Sequence, residues 1–283
     1  MEQYQRFQNQ LVANLKALKD NTSLTILKNN ILGRVVILLA LSSYSYSFTV
    51  TIYDTGFCPK DLKLKNKNIE ILPTVDYTNS VKIDCNRDAS SQRLHGQKVA
   101  QTFIDNLKVK GKIKIRPTIV FDSAKKQSAK YWHRAFSDSN NSNIAIIAAG
   151  LPFKGVAPNI PMRTNTIFVS QGKYGRGIKK DHKLWPQELA KKFSNIIIIG
   201  GHYPRTKFDK GYPDKRALYK REANYYFPDR AENINFTGSS YSVAYAAAKA
   251  VNLCYRKRIK MEHCLDLAKK ELDWDYPLKV NTY

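Results

Sequence analysis

The sequence lacks several patterns that would assign it directly to a class of protein. Its four cysteines (Cys58, Cys85, Cys254 and Cys264) form no C-x-x-C pair, which argues against a structural zinc site. One disulfide or none is compatible with either redox compartment, so the cysteines do not indicate where the protein resides. The apolar run at residues 35–41 is far too short to cross a bilayer.

Acidic residues are also scarce. The 283-residue chain carries 23 Asp and Glu against 47 Lys and Arg, a formal net charge of +24. Such a charge favours nucleic acid, an anionic membrane or acidic protein partners and substrates. The basic residues are scattered along the chain, and no zinc-finger, RNP-type or homeodomain pattern accompanies them. The composition therefore names no specific nucleic-acid motif and leaves acidic partners open.

Residues 1–46 differ in character from the rest and are interpreted as an N-terminal extension. Lys28 and Arg34 precede the apolar run and a Ser/Tyr-rich stretch follows it, an arrangement that loosely resembles a signal peptide. The stretch before the run is longer than a usual n-region, so a buried strand or helix that packs on the domain is an equal alternative, and association with a membrane is also open. An exported or membrane-associated protein is slightly favoured over a cytoplasmic one.

From residue 47 onward, short apolar runs alternate with helical patterns. The predicted strands are residues 48–53, 113–121, 144–149, 166–170 and 195–200. The predicted helices are residues 95–107, 124–136, 184–193, 240–253 and 262–272. This alternation is typical of an α/β protein whose mostly parallel sheet is covered by helices on both faces. We expect one domain over residues 47–283, with reactive groups at the carboxyl ends of its strands.

Three polar residues stand at the boundaries of these elements. Asp54 ends the first strand before a glycine, His95 opens a helix, and Ser240 lies in a Gly-Ser-Ser turn before an Ala-rich helix. Each has an ordinary structural explanation: Asp54 as a turn cap, His95 as a surface residue, Ser240 as a helix N-cap. Together, an acid, an imidazole and a hydroxyl supply the parts of a nucleophilic triad.

The order of these residues and their local motifs resemble those of the subtilisin-like serine proteases. The family's aspartate turn is matched at residues 54–56, its His-Gly-Thr-His-Val-Ala motif at His95, Gly96, Val99 and Ala100, and its Gly-Thr-Ser motif at Gly238 and Ser240. The resemblance covers roughly residues 47–272. It implies a three-layer sandwich around a mostly parallel central sheet, and a serine endopeptidase in which Asp54, His95 and Ser240 are catalytic.

The same resemblance assigns further roles and exposes departures. The strand ending in Ala148, Ala149 and Gly150 would align the substrate backbone. The family's oxyanion-hole asparagine corresponds to Lys173, with Gln171 as the other candidate donor. Calcium is frequent in the family, but no loop rich in acidic residues argues for it here, and no cofactor or metal ligand is evident.

Three functions are compatible with these observations. The first is a serine endopeptidase acting on a peptide or protein substrate through an acyl-enzyme. The second is a catalytically degenerate protein of the same fold that binds peptides or partner proteins, which the replacement of the oxyanion asparagine by Lys173 supports. The third is a binder of nucleic acid or of membrane surfaces, which the net charge of +24 by itself would favour.

Overall fold

A computed structural model describes most of the chain after its N-terminal extension. The described residues are 48–79, 83–88, 94–122, 126–138, 142–160, 166–173, 181–203, 212–213, 217–219, 223–230, 236–255 and 261–271. The expectations for residues 1–46 therefore lie outside the described residues. No described helix is both long enough and apolar enough to cross a bilayer.

A nine-stranded sheet forms the centre of the described structure. Its strands are β1 (Phe48–Asp54), β2 (Ile69–Ile71), β3 (Val75–Asp76), β4 (Ile113–Ile119), β5 (Ile144–Ile147), β7 (Thr166–Ser170), β9 (Ile196–Tyr203), β10 (Tyr212–Pro213) and β11 (Tyr225–Pro228). The main order is β10-β9-β7-β5-β1-β4-β2, with β11 paired to β9 and β3 to β4. Every pairing is parallel except that of β10 with β9. The predicted mostly parallel sheet is confirmed.

Five α-helices are described: α1 (Cys85–Asp88), α2 (His95–Asn106), α3 (Ala129–Ser137), α4 (Ser239–Cys254) and α5 (Met261–Glu271). A separate antiparallel pair is formed by β6 (Leu151–Phe153) and β8 (Lys183–Trp185). The helix predicted at residues 184–193 is wrong. Its first residues belong to β8, and a 3-10 helix follows at Gln187–Lys191, because the residue before a proline disfavours the helical conformation and Trp185, which precedes Pro186, is extended in β8.

Helices cover both faces of the sheet, as predicted. Along β1, Val50 and Ile52 pack into one core with residues of α2, α4 and α5, whereas Tyr53 packs into a second core with residues of α3. Successive side chains of a strand point to opposite faces, so one apolar strand contributes to both cores. On the second face, Tyr53 stacks on Phe136 with ring centroids 4.6 Å apart.

The helix α4 occupies the interior of the first core. Ala244, Ala246, Ala247 and Ala248 are all fully buried. Small side chains let a helix axis approach its neighbours closely, and here they place α4 against α2, β7 and β9. The Ala-rich sequence after the Gly-Ser-Ser turn therefore has a packing role.

Two disulfides are present, one more than the sequence alone led us to consider. Cys58 is joined to Cys85, which links the loop after β1 to α1, and Cys254 is joined to Cys264, which links the end of α4 to α5. Both pairs connect segments that the fold brings together, and neither pair has a spacing from which its connectivity could be deduced.

Candidate active site

Asp54 and His95 form the most closely defined contact of the site. Asp54 is the last residue of β1 and is 1% exposed. The Nδ1 atom of His95, the first residue of α2, lies 2.8 Å from Oδ1 and 2.9 Å from Oδ2 of Asp54. The backbone N–H of Thr55 also donates to Oδ1, at 2.7 Å. A buried carboxylate held on Nδ1 fixes the imidazole ring and leaves Nε2 as the basic nitrogen.

The loop after β1 is tied to the first turn of α2 by three more hydrogen bonds. The N–H of Gly96 donates to Thr55 Oγ1 at 3.2 Å, and the N–H of Gln97 donates to the Gly56 carbonyl at 3.2 Å. The side-chain Oε1 of Gln97 accepts from the N–H of Cys58 at 2.9 Å. The first two bonds satisfy N–H groups that a helix start leaves without intrahelical partners, and all three hold the first turn of α2, with His95, against the loop that follows Asp54.

Close packing explains why glycine follows His95. A Cβ atom on Gly96 would lie 2.6 Å from the Phe57 ring and 3.0 Å from Cβ of Asp54. Any side chain at this position would push α2 away from the end of β1. The Gly96 match in the histidine motif thus has a steric reason in this structure.

Ser240 is the second residue of α4, and it is not the helix N-cap as one reading of the sequence suggested. Gly238 occupies the N-cap position with φ of 91°, a conformation that glycine adopts far more readily than other residues. The N–H groups of Tyr241 and Ser242 donate to the Gly238 carbonyl. The Ser240 hydroxyl, half-buried, instead donates to the Ala148 carbonyl at 3.2 Å.

The sheet register and one ring contact place Ser240 on the same side of the sheet as the Asp54–His95 pair. β1 and β5 are parallel, with Tyr53 opposite Ile147, so Asp54 and Ala148 are the next residues on adjacent strands. Ser240 contacts Ala148. The ring of Phe236, four residues before Ser240, packs edge-on against the His95 ring with centroids 5.3 Å apart. The three residues are thus gathered around the carboxyl ends of β1 and β5.

The segment after β5 is held by side-chain donors at three successive carbonyls. Ser240 donates to Ala148, the Gln187 amide donates to Ala149 at 3.1 Å, and the Gln127 amide donates to Gly150 at 2.7 Å. No local motif in the sequence marks either glutamine, so the sequence alone did not identify them. Their role as donors becomes visible only in the fold, which brings both side chains to this segment.

The two candidate oxyanion donors differ in environment. Lys173 is exposed, and its backbone forms an isolated antiparallel bridge with Ala217. Gln171 is 2% exposed, and its Oε1 lies 2.8 Å from where a Cβ on Gly200 would sit. The Gln171 side chain therefore packs against β9, whereas the Lys173 ammonium can reach solvent or a bound molecule.

His202, near the end of β9, differs from His95 in that it is 2% exposed. Its burial lowers the pKa of the imidazole, an effect that the nearby Asp229 carboxylate partly opposes. An imidazole buried to this extent has no access to a substrate. Of these two histidines, only His95 is positioned for proton transfer.

One cluster of possible metal ligands occurs among the described residues, formed by Cys58, Asp61 and Cys85. Its two cysteines are joined in a disulfide, so neither sulfur is the thiolate that a metal ion requires. This cluster does not fit a metal site, and calcium elsewhere stays an expectation from the resemblance.

Comparisons with known proteins bear on the fold. No protein-family model matches the sequence, and no curated protein matches it. Solved structures do match. The structure of MycP1 with its N-terminal propeptide removed has a TM-score of 0.53 and 13% identity over 81% of this chain and 85% of that one.

Two other matches lead to the same fold. MycP1 from the ESX-1 type VII secretion system has a TM-score of 0.50 and 13% identity, covering 80% of this chain and 74% of that one. A cold adapted subtilisin-like serine proteinase has a TM-score of 0.51 and 12% identity, covering 79% of this chain and 81% of that one. The chain has a divergent subtilisin-like fold, and one of these structural neighbours is a subtilisin-like serine proteinase.

Proposed function

We propose that the protein is a serine endopeptidase that uses Asp54, His95 and Ser240. The observation that carries the proposal is the contact of His95 Nδ1 with both oxygens of Asp54, at 2.8 and 2.9 Å, on a carboxylate that is 1% exposed. An acid–histidine pair that served only as a surface ion pair would not require its carboxylate to be buried at the end of a strand, as that of Asp54 is. An imidazole held in this way is oriented to act as a general base for a nearby hydroxyl.

The reaction follows from the chemistry of the three groups. His95 Nε2 accepts the proton of the Ser240 hydroxyl as Oγ attacks the peptide carbonyl, and Asp54 stabilises the imidazolium that forms. The tetrahedral intermediate collapses when His95 returns the proton to the leaving amine. Water, activated by the same imidazole, then hydrolyses the acyl-enzyme.

The oxyanion would form beside the N-terminus of α4. Backbone N–H groups of the first helical turn and the helix dipole favour negative charge there. Lys173 would add a cationic donor in place of the amide found in the family. It is exposed, so its side chain can turn towards a bound substrate.

Labelling with a compact fluorophosphonate tests whether Ser240 is an activated nucleophile. We expect a covalent adduct on Ser240, identified by peptide mass spectrometry, and no adduct on the S240A protein. Ser239 is the matched control, since it is the adjacent residue in the same turn of α4. The S239A protein should label as wild type does. An adduct distributed over many serines, or none on Ser240, would contradict the proposal.

Absence of labelling would favour the second candidate, a peptide-binding protein without catalytic activity. One contact gives this candidate its support: the Ser240 hydroxyl donates to the Ala148 carbonyl, and attack on a substrate requires it to turn towards His95. Peptide binding that survives in S240A, with no labelling of wild type, would distinguish this function from proteolysis.

For Lys173, we predict a kinetic effect on peptide hydrolysis. Lys173→Ala should lower kcat by about 10²-fold, the lower end of the losses found when an oxyanion donor is removed. Lys173→Asn should recover much of that loss by restoring an amide donor. The exposed Lys154, which pairs with Asp181, offers a control: K154A should leave kcat unchanged. A K173A enzyme as fast as wild type would place Lys173 outside the mechanism.

We further propose that the protein works outside the reducing cytosol and acts on acidic proteins or peptides. Two disulfides among the described residues are typical of oxidising compartments, and one structural neighbour comes from a type VII secretion system. The net charge of +24 would draw acidic substrates to the surface. Affinity for such a substrate should fall as salt is raised; affinity independent of salt would contradict electrostatic recruitment.

A further inference from the structure

The residues that follow β5 and β7 flank a narrow region beside Ser240. β5 and β7 are parallel neighbours, with Ile147 opposite Val169. Residues 148–150 continue from β5 and residues 170–172 complete and follow β7. We call the region between these two stretches the strand-end gap. Ser240 contacts its first residue, Ala148.

Leu184 fills the strand-end gap from the side of β8. A Cβ atom on Gly172 would lie 2.5 Å from Leu184 Cδ1, and a Cβ atom on Gly150 would lie 3.0 Å from Leu184 Cβ. Leu184 therefore contacts both walls of the gap, at Gly150 in one wall and at Gly172 in the other. Leu184 is 1% exposed, so little space remains around it.

Gln187 occupies the same region. Its Nε2 donates to the Ala149 carbonyl at 3.1 Å and to the Ser170 carbonyl at 2.8 Å, one from each wall. Its Oε1 would lie 2.7 Å from a Cβ atom on Gly150, and the residue is 1% exposed. The amide thus links the two walls at a fixed separation.

Hydrogen bonds hold the backbone of Leu184 and the side chain of Gln187 in place. The Leu184 N–H donates to the Tyr219 hydroxyl at 2.9 Å, and Leu184 pairs with Pro152 in the β6–β8 ladder. Displacing Gln187 would leave the buried Ser170 carbonyl and the part-buried Ala149 carbonyl without this donor, which carries a desolvation cost. The filling is therefore part of the packed structure rather than a mobile cover.

We propose that Leu184 and Gln187 restrict the protease to substrates with glycine, alanine or serine at the residue that supplies the scissile carbonyl. This inference rests on the proposed function and deepens it. A carbonyl within attacking distance of Ser240, roughly 3 Å, brings its own residue next to Ala148. The adjoining strand-end gap is where that residue's side chain would lie.

Size discrimination follows from the packing. A methyl or hydroxymethyl group needs no movement of Leu184. A benzyl or isobutyl group would have to displace Leu184 from its contact with Gly172 and break the Gln187 bridge. Forcing extra volume into a packed region is destabilising, and this penalty would appear in kcat/KM for the larger substrate.

The experiment uses diphenyl phosphonate probes that differ only in the side chain mimicking the carbonyl-supplying residue, methyl in one and benzyl in the other. The second-order rate of Ser240 modification is measured for the full-length protein. The methyl probe is expected to react about 10²-fold faster, within the range for side-chain size discrimination by a pocket. Leu184→Ala should reduce that ratio by at least about 10-fold through faster reaction with the benzyl probe.

Leu189→Ala is the matched control, because Leu189 lies in the adjacent 3-10 helix and packs against the same core, whereas the atoms nearest to a Cβ on Gly150 or Gly172 come from Leu184, Gln187 and Leu218. It should keep the wild-type ratio. Should L184A fail to fold, judged by its thermal unfolding, Leu184→Val should shift the ratio in the same direction by less.

The outcomes separate the two proposals. Equal rates for both probes, in a protein that the compact fluorophosphonate labels at Ser240, would overturn the size restriction and leave the protease function standing. A ratio unchanged by both Leu184 variants would equally overturn the role of Leu184. Failure of all three reagents to modify Ser240 would overturn the protease function and the size restriction with it.

Discussion

Replacing either Ser240 or His95 by alanine is expected to lower kcat for peptide hydrolysis by about 10⁶-fold, and replacing both should cost little more. The reason is that nucleophile and base act as one unit: a hydroxyl without its base is unreactive, and a base without its nucleophile has no proton to remove. The measurement is kcat for wild type, S240A, H95A and the double variant on one peptide, at equal concentrations of folded protein.

Two controls accompany these variants. Ser239→Ala removes the neighbouring hydroxyl in α4, and His133→Ala removes an exposed imidazole on α3. Both should keep wild-type activity. If the S240A and H95A losses instead multiplied in the double variant, the two residues would act independently, which the triad mechanism does not allow. Activity surviving in S240A would belong to another site.

The second large effect concerns Asp54. Asp54→Asn is expected to reduce kcat by about 10⁴-fold, the loss found when a triad aspartate becomes an amide. His95 Nδ1 lies 2.8 and 2.9 Å from the two carboxylate oxygens, so either orientation of a carboxylate accepts its N–H. An asparagine amide facing Nδ1 would donate instead, which places the imidazole proton on Nε2 and removes the basic nitrogen that faces the serine.

Asp61→Asn is the control for this substitution, since Asp61 is an exposed acid seven residues further along the same loop. It changes the net charge equally and should leave kcat unaltered. The rate should be measured up to high pH. A loss caused by the wrong imidazole tautomer should persist there, because deprotonating other groups does not restore a basic nitrogen facing the serine. Full activity in D54N would show that Asp54 has no part in orienting His95.

The parts of the fold that could be predicted are those encoded in local pattern. The runs at β1, β4, β5, β7 and β9 are short, apolar and rich in β-branched residues, and such runs predict strands buried on both faces. The α/β architecture and the subtilisin-like fold are confirmed. The helix predicted at residues 184–193 is wrong because a segment whose residues have helical spacing instead forms a short strand and a 3-10 helix around Pro186. The pairing of that strand with β6 outweighs the preference that the spacing indicates.

The candidate site divides in the same way. Asp54, His95 and Ser240 are recognisable in sequence because each stands in a short motif at the end of an element, and their assignment as a triad stays a prediction that the experiments above test. Gln97, Gln127 and Gln187 carry no such mark. A glutamine can lie on the surface, in the core or in a turn. Which hydrogen bonds it forms depends on which carbonyl or N–H group the fold brings within about 3 Å.

The sequence alone was therefore enough to predict a mostly parallel sheet with helices on both faces and to show the order of the three polar motifs. Periodicity and motif are properties of neighbouring residues, so they need no knowledge of the folded chain. Only the folded chain shows that Cys58 pairs with Cys85 and that Leu184 and Gln187 fill the strand-end gap. Those features join residues far apart in sequence, and packing rather than local preference selects them.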